Sequence, residues 1–244
     1  MNINISPTAA ELGISAAKFV TEKLNEAIKR NGEARLIVST GSSQFETLEA
    51  LVQSEIEWNN VEVFHLDEYI DLPVTHKASF RKYLNERFIS LIDVKKFFAV
   101  DTEGDITERI NDVTTAIRKK PVDVGLIGIG ENTHIAFNDP PADFDTREAY
   151  KIVHLDDRCK MQQVNEGWFN TIDEVPDTAL SMTVWQIMQC KTIVSCVPHN
   201  AKAQAIKKTL LNKLTNEIPS TMLKQHNDYH LYVDHNSIAE VVVF

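Results

Sequence analysis

Short apolar runs rich in valine and isoleucine alternate with longer stretches of helical periodicity along this chain, and that alternation leaves few folds open. Residues 35–40 (RLIVST), 61–66 (VEVFHL), 122–130 (VDVGLIGIG), 150–155 (YKIVHL), 192–197 (TIVSCV) and 230–233 (HLYV) read as strands. Between them, 44–52, 79–92, 107–119, 176–189 and 200–211 read as helices. A first helix is expected over 6–30, with Ser6 as N-cap and Pro7 at the first helical position. Its Leu12, Ala16, Phe19, Val20, Leu24, Ala27 and Ile28 share one apolar face. Continuously apolar strands separated by helices specify an α/β fold. The expected form is a mostly parallel sheet with helices on both faces, Rossmann-like in its three layers.

The 244 residues include only 8 Gly and 8 Pro, and no segment is low in complexity, linker-like or repeated. One domain over residues 1–244 is therefore expected. The net charge of −10 argues against a nucleic-acid or acidic-membrane partner, for which basic clusters are needed. It leaves a small phosphorylated ligand open, because such a ligand answers to a local pocket. Cys159, Cys190 and Cys196 are odd in number and form no CxxC pair, which suits a reducing compartment. The start, MNINISPTAAELG, lacks the pattern of a signal peptide, and no apolar run approaches the ~20 residues of a membrane span. A cytoplasmic location is expected, and a homo-oligomer is left open.

Ligands of open α/β sheets gather at the carboxyl ends of the strands. Four polar or glycine-bearing segments fall at such ends: Ser39–Ser43, Leu66–Tyr69, Gly128–His134 and Pro198–Lys202. Each alone has a bland reading as a cap, a solvated turn or a structural histidine. The first lacks the GK[ST] of a nucleotide-binding loop, and Thr133 stands where a GxGxxG fingerprint needs its third glycine. At one sheet edge, however, the four together supply a carboxylate base, an acid/base histidine and two elements suited to a phosphate monoester.

Three of these segments carry a resemblance that runs over nearly the whole chain. STGSSQ (39–44), FHLDEYIDLP (64–73) and GIGENTHIAFNDPP (128–141) resemble the signatures of the glucosamine-6-phosphate deaminase/isomerase family. LDDRCKMQQVNEGWF (155–169) and PHNAKAQAI (198–206) match more loosely. The resemblance implies an enzyme, classed among the hydrolases and isomerases, that turns a hexosamine 6-phosphate and water into fructose 6-phosphate and ammonia. It implies Asp67 as the base that moves a proton from C2 to C1, and His134 as the group that opens the ring. Asp139 would orient His134, with Asn132 beside it. The phosphate would lie on Thr40, Gly41, Ser42 and Ser43 against Lys202, with Arg158 or Lys160 as a second cation. No metal or organic cofactor is implied.

The chain departs from the family pattern at Asn132, at Thr133 and Asp71 in place of glycine, and at Lys160-Met161. A β-branched Thr133 is strained if that position needs φ > 0. The alternatives are galactosamine-6-phosphate deaminase, a 6-phosphogluconolactonase sharing the fold, and a sugar-phosphate-binding relative without turnover. His226 and His230 stand four apart, but the residues between them read as a turn into a strand, so no metal is expected there.

Overall fold

The computed structural model describes residues 1–241. Its strands are β1 (Asn2–Ser6), β2 (Ala34–Val38), β3 (Val61–His65), β4 (Asp67–Tyr69), β5 (Lys96–Phe98), β6 (Val124–Leu126), β7 (Tyr150–His154), β8 (Thr178–Met182), β9 (Thr192–Val197) and β10 (Tyr229–Asp234). The α-helices are α1 (Ala9–Asn31), α2 (Phe45–Val52), α3 (Phe80–Arg87), α4 (Ile106–Arg118), α5 (Asp157–Asn165), α6 (Val184–Ile187) and α7 (Ala203–Leu211).

Seven strands form one parallel sheet in the order β1-β10-β9-β6-β2-β3-β5. Because side chains alternate across a strand, the sheet feeds two apolar cores. Leu36 and Val38 of β2, Val63 of β3 and Val194 of β9 join Leu12, Val20 and Leu24 of α1 and Leu48 of α2 on one face. Ile37, Phe64 and Ile193 join Val113 and Ile117 of α4 and Ile206 of α7 on the other. The expected three layers follow from this period of two.

Local chemistry sets the element ends. Helix α1 begins two residues later than Ser6-Pro7 suggests. Thr8 is the N-cap, its hydroxyl accepting from the Glu11 N–H and donating to the Glu11 carboxylate. Ser6 instead ends β1, an edge strand paired with β10. At the other end Gly32 takes φ 76° and returns its N–H to Ile28 O.

Two further expectations are corrected. The stretch 176–189 is not one helix: Thr178–Met182 is β8 and only Val184–Ile187 is helical. Residues 150–154 form a strand, but one outside the parallel sheet. β7 pairs antiparallel with β8, and β8 with β4, in a separate three-stranded sheet. This small sheet fixes the site, because the chain passes from β3 into β4 through Leu66, whose carbonyl accepts from Met182 N. Among the described residues no helix is long and apolar enough to cross a membrane.

Candidate active site

From β2 the chain runs outward to β3 and β5, then returns to β6 on the other side of β2. Such a reversal opens a crevice at the carboxyl ends of the two diverging strands. The crevice lies there, lined by Ser39, Thr40, Gly41 and Ser43 after β2 and by Gly128, Ile129, Gly130 and His134 after β6, and it holds about 560 Å³ including its mouth. Asp67, Phe137, Gln162, Gln163, Glu166 and Lys202 complete the polar and aromatic wall. Ser42 does not line the crevice itself, and its hydroxyl donates to Glu166 Oε2 at 3.2 Å.

Asp67 opens β4 and is 6% exposed. Burial, and then the adjacent Glu68 charge, push its carboxyl up to about 8, against a smaller lowering by the Phe137 N–H. Glu68 points the opposite way along the strand and is fully buried. It accepts from Ser79 Oγ (2.8 Å), Phe80 N (3.1 Å), Arg81 N (2.8 Å) and Arg81 Nε (3.2 Å). That carboxylate binds β4 to the start of α3 and holds a negative charge behind Asp67.

The loop after β6 carries the histidine. His134 Nδ1 lies 3.1 Å from Asp139 Oδ1, although the approach is not aligned with the ring N–H. Asn132 ties the loop together: its amide donates to Asp139 at 2.9 Å and its oxygen accepts from His134 N at 3.0 Å. The Asp156 N–H reaches the other oxygen of Asp139 at 3.2 Å. Burial raises the Asp139 carboxyl, but His134, Asn132 and the Asp156 N–H outweigh it and hold the group below its ordinary value.

Gly130 is required by the ring above it. A Cβ there would stand 2.3 Å from His134 Cε1 and Nε2. Thr133 does take φ 78°, and Asp71 takes φ 62°. Thr133 is buried, its N–H donates to Gly130 O at 2.9 Å and its carbonyl accepts from Ser220 N at 3.0 Å, while Oγ1 has no partner among the described residues. It does not line the crevice.

Ser39 and Lys202, which line the crevice, lack side-chain partners among the described residues. Ser39 Oγ is buried without one. Lys202 is 6% exposed and makes no hydrogen bond or ion pair; burial lowers its pKa, opposed by the Glu166 and Glu131 charges. Asp234 holds the loop before it, accepting from His199 N at 3.1 and 3.2 Å. A buried, unpaired ammonium is costly unless an anion completes it. With Ser39 and the loop 40–43 beside it, Lys202 suits a phosphate.

The sequence-based second cations are not at this place. Arg158 is exposed, and Lys160 pairs with Asp177 on the outer side of α5. The inward stripe of that helix is Cys159, Gln162, Gln163 and Glu166, and the last three line the crevice. They recur at helical spacing i, i+3, i+4 and i+7, a signal present in the sequence that the matching of short motifs passes over. Cys159, behind the crevice wall, forms with His134 and Asp139 a group of three metal-capable side chains whose ligand atoms lie within 4.8 Å of one another.

A three-layer α/β fold with an acid/base crevice at its switch point defines the class. Residues 7–232 match the family model of glucosamine-6-phosphate isomerases/6-phosphogluconolactonase, and the chain belongs to that family. It is 32% identical over 231 residues to a glucosamine-6-phosphate deaminase of Streptococcus gordonii, covering 94% of each. A solved structure described as a monomeric glucosamine-6-phosphate deaminase superposes with a TM-score of 0.89 at 26% identity, over 98% of this chain and 99% of that one. A 6-phosphogluconolactonase of Trypanosoma brucei, 14% identical, gives 0.79 over 99% and 98%, which is likeness of fold alone. The relatives' names also correct one expectation: they are deaminases of lyase/isomerase type, and nothing in them supports the hydrolase class.

Proposed function

We propose that the protein, acting as one domain, converts glucosamine 6-phosphate to fructose 6-phosphate and ammonia. The observation that carries this reading is one crevice holding a buried carboxylate, a carboxylate-paired histidine and an unpaired buried lysine. The phosphate lies against Lys202, Ser39 and the loop 40–43. His134, with Asp139 and Asn132 behind it, moves a proton between the ring oxygen and the anomeric hydroxyl. Asp67 takes the C2 proton of the open chain and returns it at C1, and water then releases ammonia from the resulting C2 imine. The ammonium of the arriving sugar favours the ionised form of Asp67, so a carboxyl raised to about 8 is a strong base that substrate binding switches on.

One chain supplies every group in this scheme, so a monomer suffices for the chemistry. The carboxylate at Asp67 and the likeness to named deaminases favour this reading over a lactonase. The experiment is a panel of glucosamine 6-phosphate, galactosamine 6-phosphate, glucosamine and 6-phosphogluconolactone. Preference for glucosamine 6-phosphate supports the reading; preference for the lactone overturns it.

A further inference from the structure

The group formed by His134, Asp139 and Cys159 is not used as a whole by the proposed reaction. The first two serve the crevice, whereas Cys159 is buried behind it and contributes no atom to its lining. Its thiol is turned towards the Asp139 carboxylate. His134 Nδ1 lies 3.1 Å from Asp139 Oδ1, so the imidazole and the carboxylate already face one another. One imidazole nitrogen, one carboxylate oxygen and one sulfur therefore converge within 4.8 Å.

We propose that these three side chains form a binding site for a thiophilic divalent cation, with Zn²⁺ as the fitting probe, and that its occupancy reversibly shuts off the activity proposed above. Bond lengths of roughly 2.0–2.3 Å to N, O and S set the ligand atoms of a tetrahedral site about 3.3–3.8 Å apart. The 3.1 Å between His134 and Asp139 falls just below that range and no pair of ligand atoms exceeds 4.8 Å, so side-chain movements on the order of 1 Å close the site. The donor set of one N, one O and one S is of a kind that zinc accepts, with water completing the shell. Binding forms a metal–sulfur bond and releases the thiol proton to solvent. Burial and the nearby Asp139, Asp156 and Asp67 charges raise the Cys159 pKa, so the thiol stays protonated until a metal displaces its proton. Occupancy draws His134 and Asp139 into coordination and removes them from proton transfer, while the Lys202 end of the crevice is untouched.

This regulation rests on the proposed activity, but the site itself does not, and the experiment separates the two. Purified protein is titrated with Co²⁺, whose thiolate complexes absorb in the near ultraviolet, and in parallel with Zn²⁺ during turnover. A thiolate band at one equivalent is expected in the wild type and not in Cys159→Ser or Cys159→Ala. Zn²⁺ is expected to lower kcat with little change in KM, reversibly with a chelator. Either cysteine variant should keep the basal rate and need at least tenfold more Zn²⁺ for the same inhibition. A band without any turnover would support the metal site and sink the deaminase reading. Absence of the band, or a band and inhibition undiminished in both variants, would overturn the site.

Discussion

Asp67 and Glu68 are consecutive carboxylates with opposite surroundings, because alternate strand residues face opposite ways. Glu68 has a collar of donors from Ser79, Phe80 and Arg81, whereas Asp67 faces the crevice and is desolvated. The pairing fixes one acid among donors and leaves the other desolvated, as the proposed base requires. Asp67→Asn keeps the shape and removes the proton acceptor, so kcat should fall by ~10²–10⁴ with modest change in KM. The sign of the pH dependence follows from the raised carboxyl. The free enzyme's base is protonated below about 8 and ionised above it, so kcat/KM should climb with pH and level off above about 8. A profile flat from neutrality upward, or near wild-type turnover by the Asn variant, would remove Asp67 from the role of base.

The loop 128–139 shows how an element can be dictated by its crossings. Gly130 lies under the His134 ring, and an alanine Cβ there would meet ring atoms at 2.3 Å. Gly130→Ala should displace the imidazole and lower kcat by about 10²-fold, the scale of a 1 Å misplacement, while circular dichroism stays native. Unchanged kcat would mean that the ring is free to move without loss. Thr133 is held at both backbone ends by Gly130 and Ser220, so the fold imposes φ 78° whichever residue stands there. The strain is on the order of 1–3 kcal/mol, partly offset by the greater unfolded-state freedom of glycine. Thr133→Gly should therefore stabilise by about 1 kcal/mol, a rise of roughly 2–4 °C in Tm for a chain of this size. The change in kcat/KM should be less than about threefold. A fall in Tm would show that threonine is well accommodated there. In sequence, the Thr133 position was legible as a left-handed site through its family pattern. The inward stripe of α5 was legible only by helical phase, which turns Gln162, Gln163 and Glu166 inward and Arg158 outward. Strand β8 was not legible: Thr178–Met182 includes Ala, Leu and Met, which favour helix, and pairing with β4 and β7 overrides that preference.

At the scale of the molecule, the parallel sheet was readable because its inner strands are buried on both faces and so are continuously apolar. Besides β8, the strands that escaped notice are those whose burial is partial or whose length is short: the edge strand Asn2–Ser6 and the three-residue Lys96–Phe98 and Asp67–Tyr69. The crevice was readable as a set of strand ends, but of the three cations expected for the phosphate only Lys202 lines it. Lys202 is the buried one, and Lys202→Ala should raise KM for the phosphorylated sugar roughly 10- to 100-fold, the worth of ~1.5–3 kcal/mol for a charged hydrogen bond, with kcat nearly kept. Equal KM values for the variant and the wild type would place the phosphate elsewhere. The most direct measurement of all is the simultaneous release of ammonia and fructose 6-phosphate from glucosamine 6-phosphate, in wild type and Asp67→Asn side by side. The wild type should release the two products in equal amounts, and the variant at least ~10²-fold more slowly. Ammonia without ketose phosphate, no release by the wild type, or equal rates from the two proteins would contradict a deaminase working through Asp67.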